Sequence, residues 1–408
     1  MNYLRREKYL SRIRPFIHDE GLIKVLTGVR RCGKSTVLEQ IRDEILSEGV
    51  TKENVIHLNL DRKLYRKIKT ADQLEQAIDS LMPDTDEKKY LFIDEVQNVD
   101  GFEELINAYR EDGVSVFITG SNSYLLSGEM VTKLTGRYIE FRILTFTLSE
   151  IREYMEINGI KFDSVKGFND YLRFGGYPKR FDYYDADSAM LYVRSVIEES
   201  VSKDILMKKK VRNRTTLEKV MRYLFSSPSA TISSTSIADY MKKEHTKVQY
   251  QTVLRYLDLI ASSKLAFKCE RYDIIGKKTM KTLYKSYVAD PAIHSLYPGD
   301  RQNIRLGAMI ENIVYNELIS RGYDVYVGKF KKMEVDFVVK NNARLAYVQV
   351  AYLMPDEKTI NREKRPLISI RDAFPKYIIT MDPITVDMDG IRVLNLVNDF
   401  LLGDKFTI

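Results

Sequence analysis

Residues 28–35 combine glycines, a lysine and a hydroxyl at a spacing that suits the binding of a phosphate group. They read G-V-R-R-C-G-K-S and follow an apolar run at residues 22–26. Glycines let consecutive backbone N–H groups turn toward one anion, Lys34 neutralises β- and γ-phosphate oxygens, and Ser35 ligates Mg²⁺. A helix is predicted over residues 36–46, and its N-terminus favours an anion through its dipole and unpaired amides. The expected nucleotide-binding residues are Gly28, Val29, Arg30, Arg31, Cys32, Gly33, Lys34, Ser35 and Thr36.

A pair of carboxylates ends a second apolar run, which covers residues 90–93. Parallel sheets bind their ligands at the carboxyl ends of the strands. We therefore expect Asp94 to hold Mg²⁺ and Glu95 to polarise the water that attacks the γ-phosphate. The alternative is an acidic strand end that faces solvent, and the phosphate-binding loop earlier in the chain makes it the weaker interpretation. Together the two motifs predict hydrolysis of ATP with Mg²⁺.

Other polar residues could assist this chemistry. Ser121 or Asn122 follows the apolar run 114–119 and could orient the attacking water, although Ser and Asn are equally favoured as turn and cap residues. Arg137 could neutralise transition-state charge in its own chain or in the site of a neighbouring chain. The alternative for Arg137 is a solvated surface arginine.

Composition predicts a large folded protein. The chain has 408 residues, 44% of them hydrophobic, a length that favours about two to four domains. A net charge of +7 permits nucleic acid as a partner without requiring it. Cys32 and Cys269 lie far apart, so neither a disulfide framework nor a cysteine-based metal site is predicted. The chain shows no secretory leader and no run of about eighteen apolar residues, so we expect a cytoplasmic protein with no membrane partner. Cys32 also suggests that a thiol reagent should block nucleotide binding.

Strands and helices alternate in the first part of the chain, which indicates a buried parallel sheet and an α/β fold. The predicted strands cover residues 55–60, 90–93, 114–119 and 138–146, and helical patterns cover 74–81 and 102–109.

These motifs resemble those of archaeal and bacterial AAA+ type P-loop ATPases. The hallmarks G-V-R-R-x-G-K-S, D-E-x-Q, T-G-S and L-x-G-R correspond to residues 28–35, 94–97, 119–121 and 134–137. The family sequence P-L-S-F-x-E is only approximated by L-T-F-T-L-S-E at 144–150, and F-G-G-Y-P at 174–178 resembles the helical lid. The resemblance covers the whole chain. It implies a P-loop NTPase parallel sheet with a helical lid, with ATP and Mg²⁺ as ligands.

The middle of the chain follows a basic run at 207–214 and reads as three helices and then two strands. This is the organisation of a winged helix, with the third helix as the recognition element. Acidic residues on the helices leave an alternative, in which they pack on the ATPase or on a protein partner. Candidate contacts to double-stranded DNA are Lys247, Gln251, Arg255, Lys277 and Lys278.

The C-terminal part resembles the PD-(D/E)XK nuclease superfamily. Glu311, Asp336 and Gln349 stand where that superfamily has its Mg²⁺ ligands. The expected E-x-K reads Gln349-Val350-Ala351, so a carboxylate is replaced by an amide and the lysine is missing. Metal-dependent cleavage needs both charge stabilisation and an activated water molecule. We therefore predict a degenerate nuclease-like domain used for binding or assembly.

Four regions follow from these patterns: a P-loop AAA+ ATPase core at 1–146, a helical lid at 147–205, a winged-helix domain at 206–302 and a nuclease-like domain at 303–408. The favoured function is an Mg²⁺-dependent ATPase that acts as a switch or motor, associated with DNA, with itself or with a protein partner. One alternative is a DNA- or protein-binding adaptor that nucleotide stabilises without significant turnover. A weaker alternative is an ATP-regulated nuclease.

Overall fold

The structure is a computed structural model that describes residues 3–120, 134–183, 185–206, 211, 213–227, 229–243, 246, 248–297 and 306–408. The chain forms two compact units. We call Arg5–Leu144 with Ser262–Lys264 the N-terminal unit, and Thr145–Ala261 and Leu265–Ile408 with Met1–Leu4 the C-terminal unit.

A parallel sheet is the framework of the N-terminal unit. Its strands are β1 (Ile23–Thr27), β2 (Val55–Asn59), β3 (Tyr90–Asp94), β4 (Ser115–Gly120) and β5 (Tyr138–Arg142), in the order β2-β3-β4-β1-β5. Its helices are α1 (Glu7–Ile13), α2 (Lys34–Ser47), α3 (Ala71–Asp79) and α4 (Phe102–Glu111). β1, β3 and β4 are buried at every position, as expected of parallel strands covered on both faces. The predicted α/β fold with a parallel sheet is confirmed.

The strand order decides which loops can meet. β4 pairs with both β1 and β3, all in parallel, so the carboxyl ends of these three strands lie side by side. Apolar side chains such as Val25, Ile93 and Ile118 are fully buried in one core cluster below them. Burial of each such side chain contributes roughly 1.5–3 kcal/mol, so the sheet is a rigid base for the polar residues at its edge.

The C-terminal unit contains helices and a mixed sheet. The helices are α5 (Leu148–Ile157), α6 (Ser164–Phe174), α7 (Ala186–Ser200), α8 (Arg214–Ser226), α9 (Ser234–Lys243), α10 (Tyr250–Ser262), α11 (Ala292–Leu296), α12 (Leu306–Ser320) and α13 (Glu357–Ser369). The strands are β6 (Thr231–Ile232), β7 (Ala266–Asp273), β8 (Lys278–Val288), β9 (Asp324–Phe330), β10 (Met333–Asn341), β11 (Arg344–Ala351), β12 (Lys376–Thr380) and β13 (Arg392–Asn395). They form an eight-stranded sheet in the order β13-β12-β11-β10-β9-β7-β8-β6.

Strand pairing joins the two regions into which the sequence divides this unit. Three helices, α8 to α10, precede the hairpin β7–β8, in the order that the sequence predicts, and β6 pairs with β8. However, β7 also pairs with β9, so the regions 206–302 and 303–408 share one sheet and one compact unit. Backbone pairing between strands this far apart in sequence leaves no trace in composition or charge runs. The predicted boundary at 146, in contrast, lies beside the boundary at Leu144.

A buried carboxylate explains the F-G-G-Y-P motif. Asp290 Oδ2 accepts hydrogen bonds from Thr145 Oγ1 at 2.6 Å and Gly176 N at 2.8 Å, and its Oδ1 accepts one from Ala292 N at 2.9 Å. Gly175 has a φ of 68°, and a Cβ there would lie 1.6 Å from Asp290 Oδ1. Only glycine can pass this carboxylate so closely. The motif therefore has a structural role: it packs closely against Asp290 within the C-terminal unit.

Candidate active site

The loop after β1 has a backbone that only glycine allows at two points. Gly33 has a φ of 102°, and a Cβ on Gly28 would lie 2.1 Å from the carbonyl oxygen of Ile143. Arg31 adopts a φ of 62° between them. The loop then enters α2 at Lys34, which brings the amides of that helix end to the loop. These features form a cradle of backbone N–H groups that fits an anion.

Lys34 lies inside this loop. Its side chain is buried, and Nζ donates hydrogen bonds to the carbonyl oxygens of Gly28 at 3.2 Å and Val29 at 3.3 Å. An ammonium group held at the centre of a backbone cradle provides positive charge where phosphate oxygens would bind. The loop residues therefore fit the nucleotide that the sequence predicts.

Arg6 supports the loop, a role that no sequence motif indicates. Its buried guanidinium donates from Nη1 to the carbonyl oxygens of Cys32 and Leu144, each at 2.9 Å, and lies 4.6 Å from the ring centre of Tyr9. Tyr9 Oη in turn accepts a hydrogen bond from Leu144 N at 3.1 Å. The N-terminal segment thus fastens the loop to the chain that follows β5. One arginine among several near the N-terminus carries no sequence signal for such a contact.

Cys32 is not the reactive handle that the sequence suggests. Its side chain is fully buried, and Sγ donates a hydrogen bond to the carbonyl oxygen of Ile143 at 3.3 Å. Burial raises the pKa of the Cys32 thiol, although Lys34 and Arg6 lie nearby and oppose the shift. Because the thiolate is the reactive form, we expect little reaction of native Cys32 with a thiol reagent.

Asp94 ends β3 beside the loop. Its Oδ1 accepts a hydrogen bond from Thr119 Oγ1, and its Oδ2 accepts one from Asn59 Nδ2 at 2.7 Å. Ser35 is a further hydrogen-bonding partner. Burial raises the pKa of Asp94, and the bonds from Thr119 and Ser35 oppose that rise. A serine hydroxyl beside a carboxylate is a donor set that fits Mg²⁺, which proteins commonly hold through one or two such oxygens together with substrate phosphates.

Glu95 is held in an unusual backbone conformation. Its φ is 59°, a left-handed value that costs a non-glycine residue about 1–3 kcal/mol. The Glu95 N–H donates to Thr119 Oγ1 at 3.0 Å, and Gln97 Nε2 donates to Glu95 Oε2. Thr119 therefore contacts both members of the carboxylate pair, since its hydroxyl donates to Asp94 and accepts from Glu95.

Sequence reasoning assigned no role to Thr119, Gln97 or Asn59. Thr119 and Gln97 stand inside the quoted T-G-S and D-E-x-Q motifs, which was the available signal. The residues predicted to orient the attacking water, Ser121 and Asn122, lie outside the described part of the chain.

Arg137 lies at the wrong end of the sheet to act in its own chain. It precedes β5, where Tyr138 pairs with Ile23 at the start of β1, whereas Arg142 pairs with Thr27 beside the loop. The five residue steps from Arg137 to Arg142 separate them by about 16 Å, at roughly 3.3 Å per residue. Of the two alternatives for Arg137, action within its own chain is disfavoured by this placement. Its exposed side chain leaves action in the site of a neighbouring chain as a prediction.

The predicted nucleic-acid contacts are exposed. Gln251 and Arg255 lie on α10, and Lys277 and Lys278 lie at the turn between β7 and β8. Lys247 lies outside the described residues.

The three nuclease-like residues do come together, but around a lysine. Lys285 of β8, which sequence reasoning missed, joins Glu311 on α12 to Asp336 on β10, and Gln349 on β11 contacts the backbone of Asp336. Lys285 Nζ lies 2.9 Å from Glu311 Oε1 and 3.6 Å from Asp336 Oδ1, while Gln349 Oε1 accepts a hydrogen bond from Asp336 N at 3.4 Å.

This cluster does not fit a divalent cation. Lys285 Nζ is also 2.9 Å from Glu334 Oε1, so a buried ammonium already neutralises the carboxylates that would ligate a metal. Although burial opposes its charge, the carboxylates of Glu311, Asp336 and Glu334 raise the pKa of Lys285 above its usual value. Burial and then Glu311 raise the pKa of Asp336 to about 8. Across the described residues, no group of three or more His, Cys, Asp or Glu side chains is arranged to hold a metal ion.

Comparison with known proteins gives two family matches. Residues 20–152 match an AAA domain, and residues 165–299 match a domain of unknown function (DUF8612). The second match extends across the predicted boundary at 206. In the part of the chain that the structure describes, no helix is long and apolar enough to span a membrane.

Relatives match along most of the chain. An uncharacterized protein of Haemophilus influenzae is 33% identical over 401 residues, which cover 98% of each chain. The uncharacterized protein MJ1544 of Methanocaldococcus jannaschii is 28% identical over 347 residues, which cover 81% of this chain and 74% of that protein. Among solved structures, the Walker-type ATPase PABY2304 of Pyrococcus abyssi is similar with a TM-score of 0.52 at 15% identity, over 72% of this chain and 96% of that one. The last similarity concerns the fold alone.

Proposed function

This chain belongs to the same family as the uncharacterized Haemophilus influenzae protein, and its residues 20–152 match an AAA domain. We propose that it is an Mg²⁺-dependent ATPase that acts as a switch or motor. The observation that carries the proposal is the chain of contacts from the phosphate-binding loop to the carboxylate pair. Ser35 bonds to Asp94, Asp94 to Thr119, and Thr119 to the backbone of Glu95.

Binding and hydrolysis fall to different residues in this proposal. Lys34 and the loop amides would hold the phosphates, and Ser35 and Asp94 would hold Mg²⁺, which neutralises phosphate charge when bound. Glu95 has no place in phosphate binding. Its carboxylate, beside Gln97 and fixed through Thr119, is suited to orient a water molecule and accept its proton.

Two substitutions test this division. Lys34→Ala should abolish nucleotide binding, because the positive charge at the centre of the loop is lost. Glu95→Gln should preserve binding and lower kcat by about 10²- to 10⁴-fold, the usual contribution of a general base. The matched control is Glu53→Gln, an exposed glutamate of the same unit, which should change neither property. Binding is measured with a fluorescent ATP analogue and turnover by phosphate release. Unchanged hydrolysis in Glu95→Gln would remove its catalytic role.

The adaptor alternative predicts a different result. Nucleotide would raise the melting temperature of the wild-type chain, yet its phosphate release would be no faster than that of Glu95→Gln. Two buried cysteines without a disulfide bond agree with the proposed cytoplasmic location, where thiols stay reduced. The nuclease alternative loses support because Lys285 fills the carboxylate cluster.

A second proposal is association with double-stranded DNA. It is favoured by the order α8, β6, α9, α10, β7, β8, which is that of a winged helix, and by the exposed Gln251 and Arg255 on α10. Tyr250 and Leu254 are exposed on the same helix, 45% and 38%, and would suit a protein partner instead. Turnover of ATP measured with and without duplex DNA distinguishes these: stimulation links DNA to the ATPase, and no response favours a protein partner or self-association.

A further inference from the structure

We infer that two neighbouring turns of the eight-stranded sheet form one basic surface that binds the phosphates of duplex DNA. The surface, which we call the two-turn surface, consists of four lysines. Lys277 lies in the turn between β7 and β8, Lys278 is the first residue of β8, and Lys331 and Lys332 lie between β9 and β10. The inference deepens the proposed DNA association and rests on it for the identity of the polyanion. It adds a second turn that no sequence motif marks.

Strand register places the two turns side by side. β7 and β9 run in parallel, with Asp273 at the end of β7 opposite Lys329, and the next amide, Ile274 N, donates to the carbonyl oxygen of Lys329 at 3.0 Å. Phe330 pairs with Met333, so β9 turns back through Lys331 and Lys332 alone. Both turns therefore follow the carboxyl ends of parallel strands, on the same side of the sheet. Their centres are two strand spacings apart, roughly 10 Å.

The backbone of each turn is fixed. Lys277 and Lys331 have φ values of 48° and 56°, which tight turns require. Asp273 Oδ1 accepts a hydrogen bond from Ile275 N at 3.1 Å, and a Cβ on Gly276 would lie 2.7 Å from Asp273 Oδ2. The one carboxylate of the first turn is thus used to hold its backbone. The lysines are presented from ordered positions, which lowers the entropy lost on binding.

The charges of this surface are available to a ligand. All four lysines are exposed, and none forms an ion pair with another described residue. Other lysines of the same unit are paired, such as Lys268 with Asp258 at 2.5 Å and Lys364 with Asp389 at 2.8 Å. The neighbouring Lys329 is exposed as well, but it lies opposite Glu334 in the strand pair, so we leave it out of the surface.

The dimensions suit a duplex. DNA carries one charge per roughly 1.7 Å of its axis, and its grooves are about 6 and 12 Å wide. Lysine pairs on two turns roughly 10 Å apart can therefore contact phosphates on the two sides of one groove. Such contacts give affinity and position without reading sequence.

The test uses the full chain and a fluorescent duplex of about 20 base pairs, with anisotropy measured between about 50 and 200 mM salt. The double variant Lys331→Gln/Lys332→Gln should reduce the slope of log affinity against log salt by about two. Each lost phosphate contact should cost about eightfold in affinity at about 0.1 M salt, or about 60-fold for the pair. The matched control is Arg344→Gln. It removes a charge where β10 turns into β11, at the other end of β10 from Lys332, and should leave the slope unchanged.

The outcomes separate this inference from the proposed DNA association. If the wild type binds duplex and the double variant binds equally well with the same slope, the two-turn surface is wrong and DNA association stands. If the wild type does not bind duplex even at low salt, both fail. Binding of vesicles that contain phosphatidylserine, lost in the double variant while duplex is not bound, would assign the surface to a membrane and overturn the DNA inference. Nucleotide binding by every variant serves as the check on folding.

Discussion

Thr119→Val tests whether one hydroxyl couples the two carboxylates of the proposed ATPase site. The side chain is fully buried on β4, and valine has nearly the same shape, so the substitution removes hydrogen bonds while it preserves packing. Two bonds are lost, one donated to Asp94 and one accepted from the backbone of Glu95.

The structure allows the size of the effect to be worked out. A hydrogen bond to an ionised carboxylate contributes about 1.5–3 kcal/mol, and a backbone N–H left without an acceptor costs about 1–3 kcal/mol. Because the two bonds share one atom they do not add fully, so we expect a loss of about 2–5 kcal/mol in the free energy of unfolding. The pKa of Asp94 should rise further, since the Thr119 bond opposes the effect of burial.

Turnover should respond more than binding. Without its bond to Thr119, the strained Glu95 backbone is free to relax, and a shift of about 1 Å at a reacting group can cost about 100-fold in rate. We expect kcat to fall by about that factor. Affinity for ATP without Mg²⁺ should change little, because the loop residues around Lys34 are untouched.

Thr380→Val is the matched control. Thr380 is equally buried, and its hydroxyl donates to Asp382 Oδ2 at 2.8 Å and accepts from Asp382 N at 3.2 Å, in the C-terminal unit. Urea denaturation measures stability and phosphate release measures turnover. Both variants should lose stability, and only Thr119→Val should lose turnover. If Thr119→Val turns over ATP within about twofold of wild type, the coupling argument fails and the hydroxyl is structural only.

Three further predictions follow from other sites. The native chain should release almost no chromophore from a disulfide reagent such as DTNB, and both thiols should react in denaturant, because Cys32 and Cys269 are buried; rapid native reaction at Cys32 would contradict its burial. Burial lowers the pKa of His294 to about 4 from an ordinary 6.5, so the folded state keeps the neutral imidazole and the free energy of unfolding should fall as the pH drops from 6.5 to 4. In His294→Gln the melting temperature should depend less on pH over this range. A pH dependence equal to that of the wild type would argue against the shift. Lys285→Met should cost about 3–5 kcal/mol because it leaves buried carboxylates without their cation, and Lys285→Arg should cost much less, as measured by urea denaturation. Mn²⁺-dependent DNA cleavage by the wild type that disappears in Asp336→Ala would overturn the conclusion that this cluster does not fit a metal.

Much of the fold class could be predicted because short-range patterns encode it. The apolar run 90–93, followed by the adjacent carboxylates Asp94 and Glu95, predicts a buried strand with a polar end, and this prediction does not depend on the position of the strand in the sheet. The order of three helices and then a hairpin in the middle region was also readable from helical spacing. The extension of its hairpin into the C-terminal strands was not, because the bonds between β7 and β9 join Arg271 to Val327 and their neighbours through the backbone alone.

Site residues that act through long-range contacts were the ones missed. Arg6 reaches the carbonyl oxygen of Leu144 across the sequence, and Lys285 reaches Glu311, although neither belongs to a motif. Arg137 shows the opposite case. It stands in a motif, but the direction of β5 takes it away from the loop.

The sequence by itself determined the chemistry available to this protein. Glycine spacing, Lys34, Ser35 and the carboxylate pair predict a phosphate-binding loop and the proposed hydrolytic residues beside it through local geometry, which residues close in sequence control. Only the tertiary structure decided which side chains serve that chemistry. Strand order brought Thr119 to both carboxylates, and strand register set Lys285 among acids and aligned two lysine turns at one edge. Such contacts depend on backbone hydrogen bonds between strands that are distant in sequence. The local sequence around each of these side chains does not specify which strands will pair.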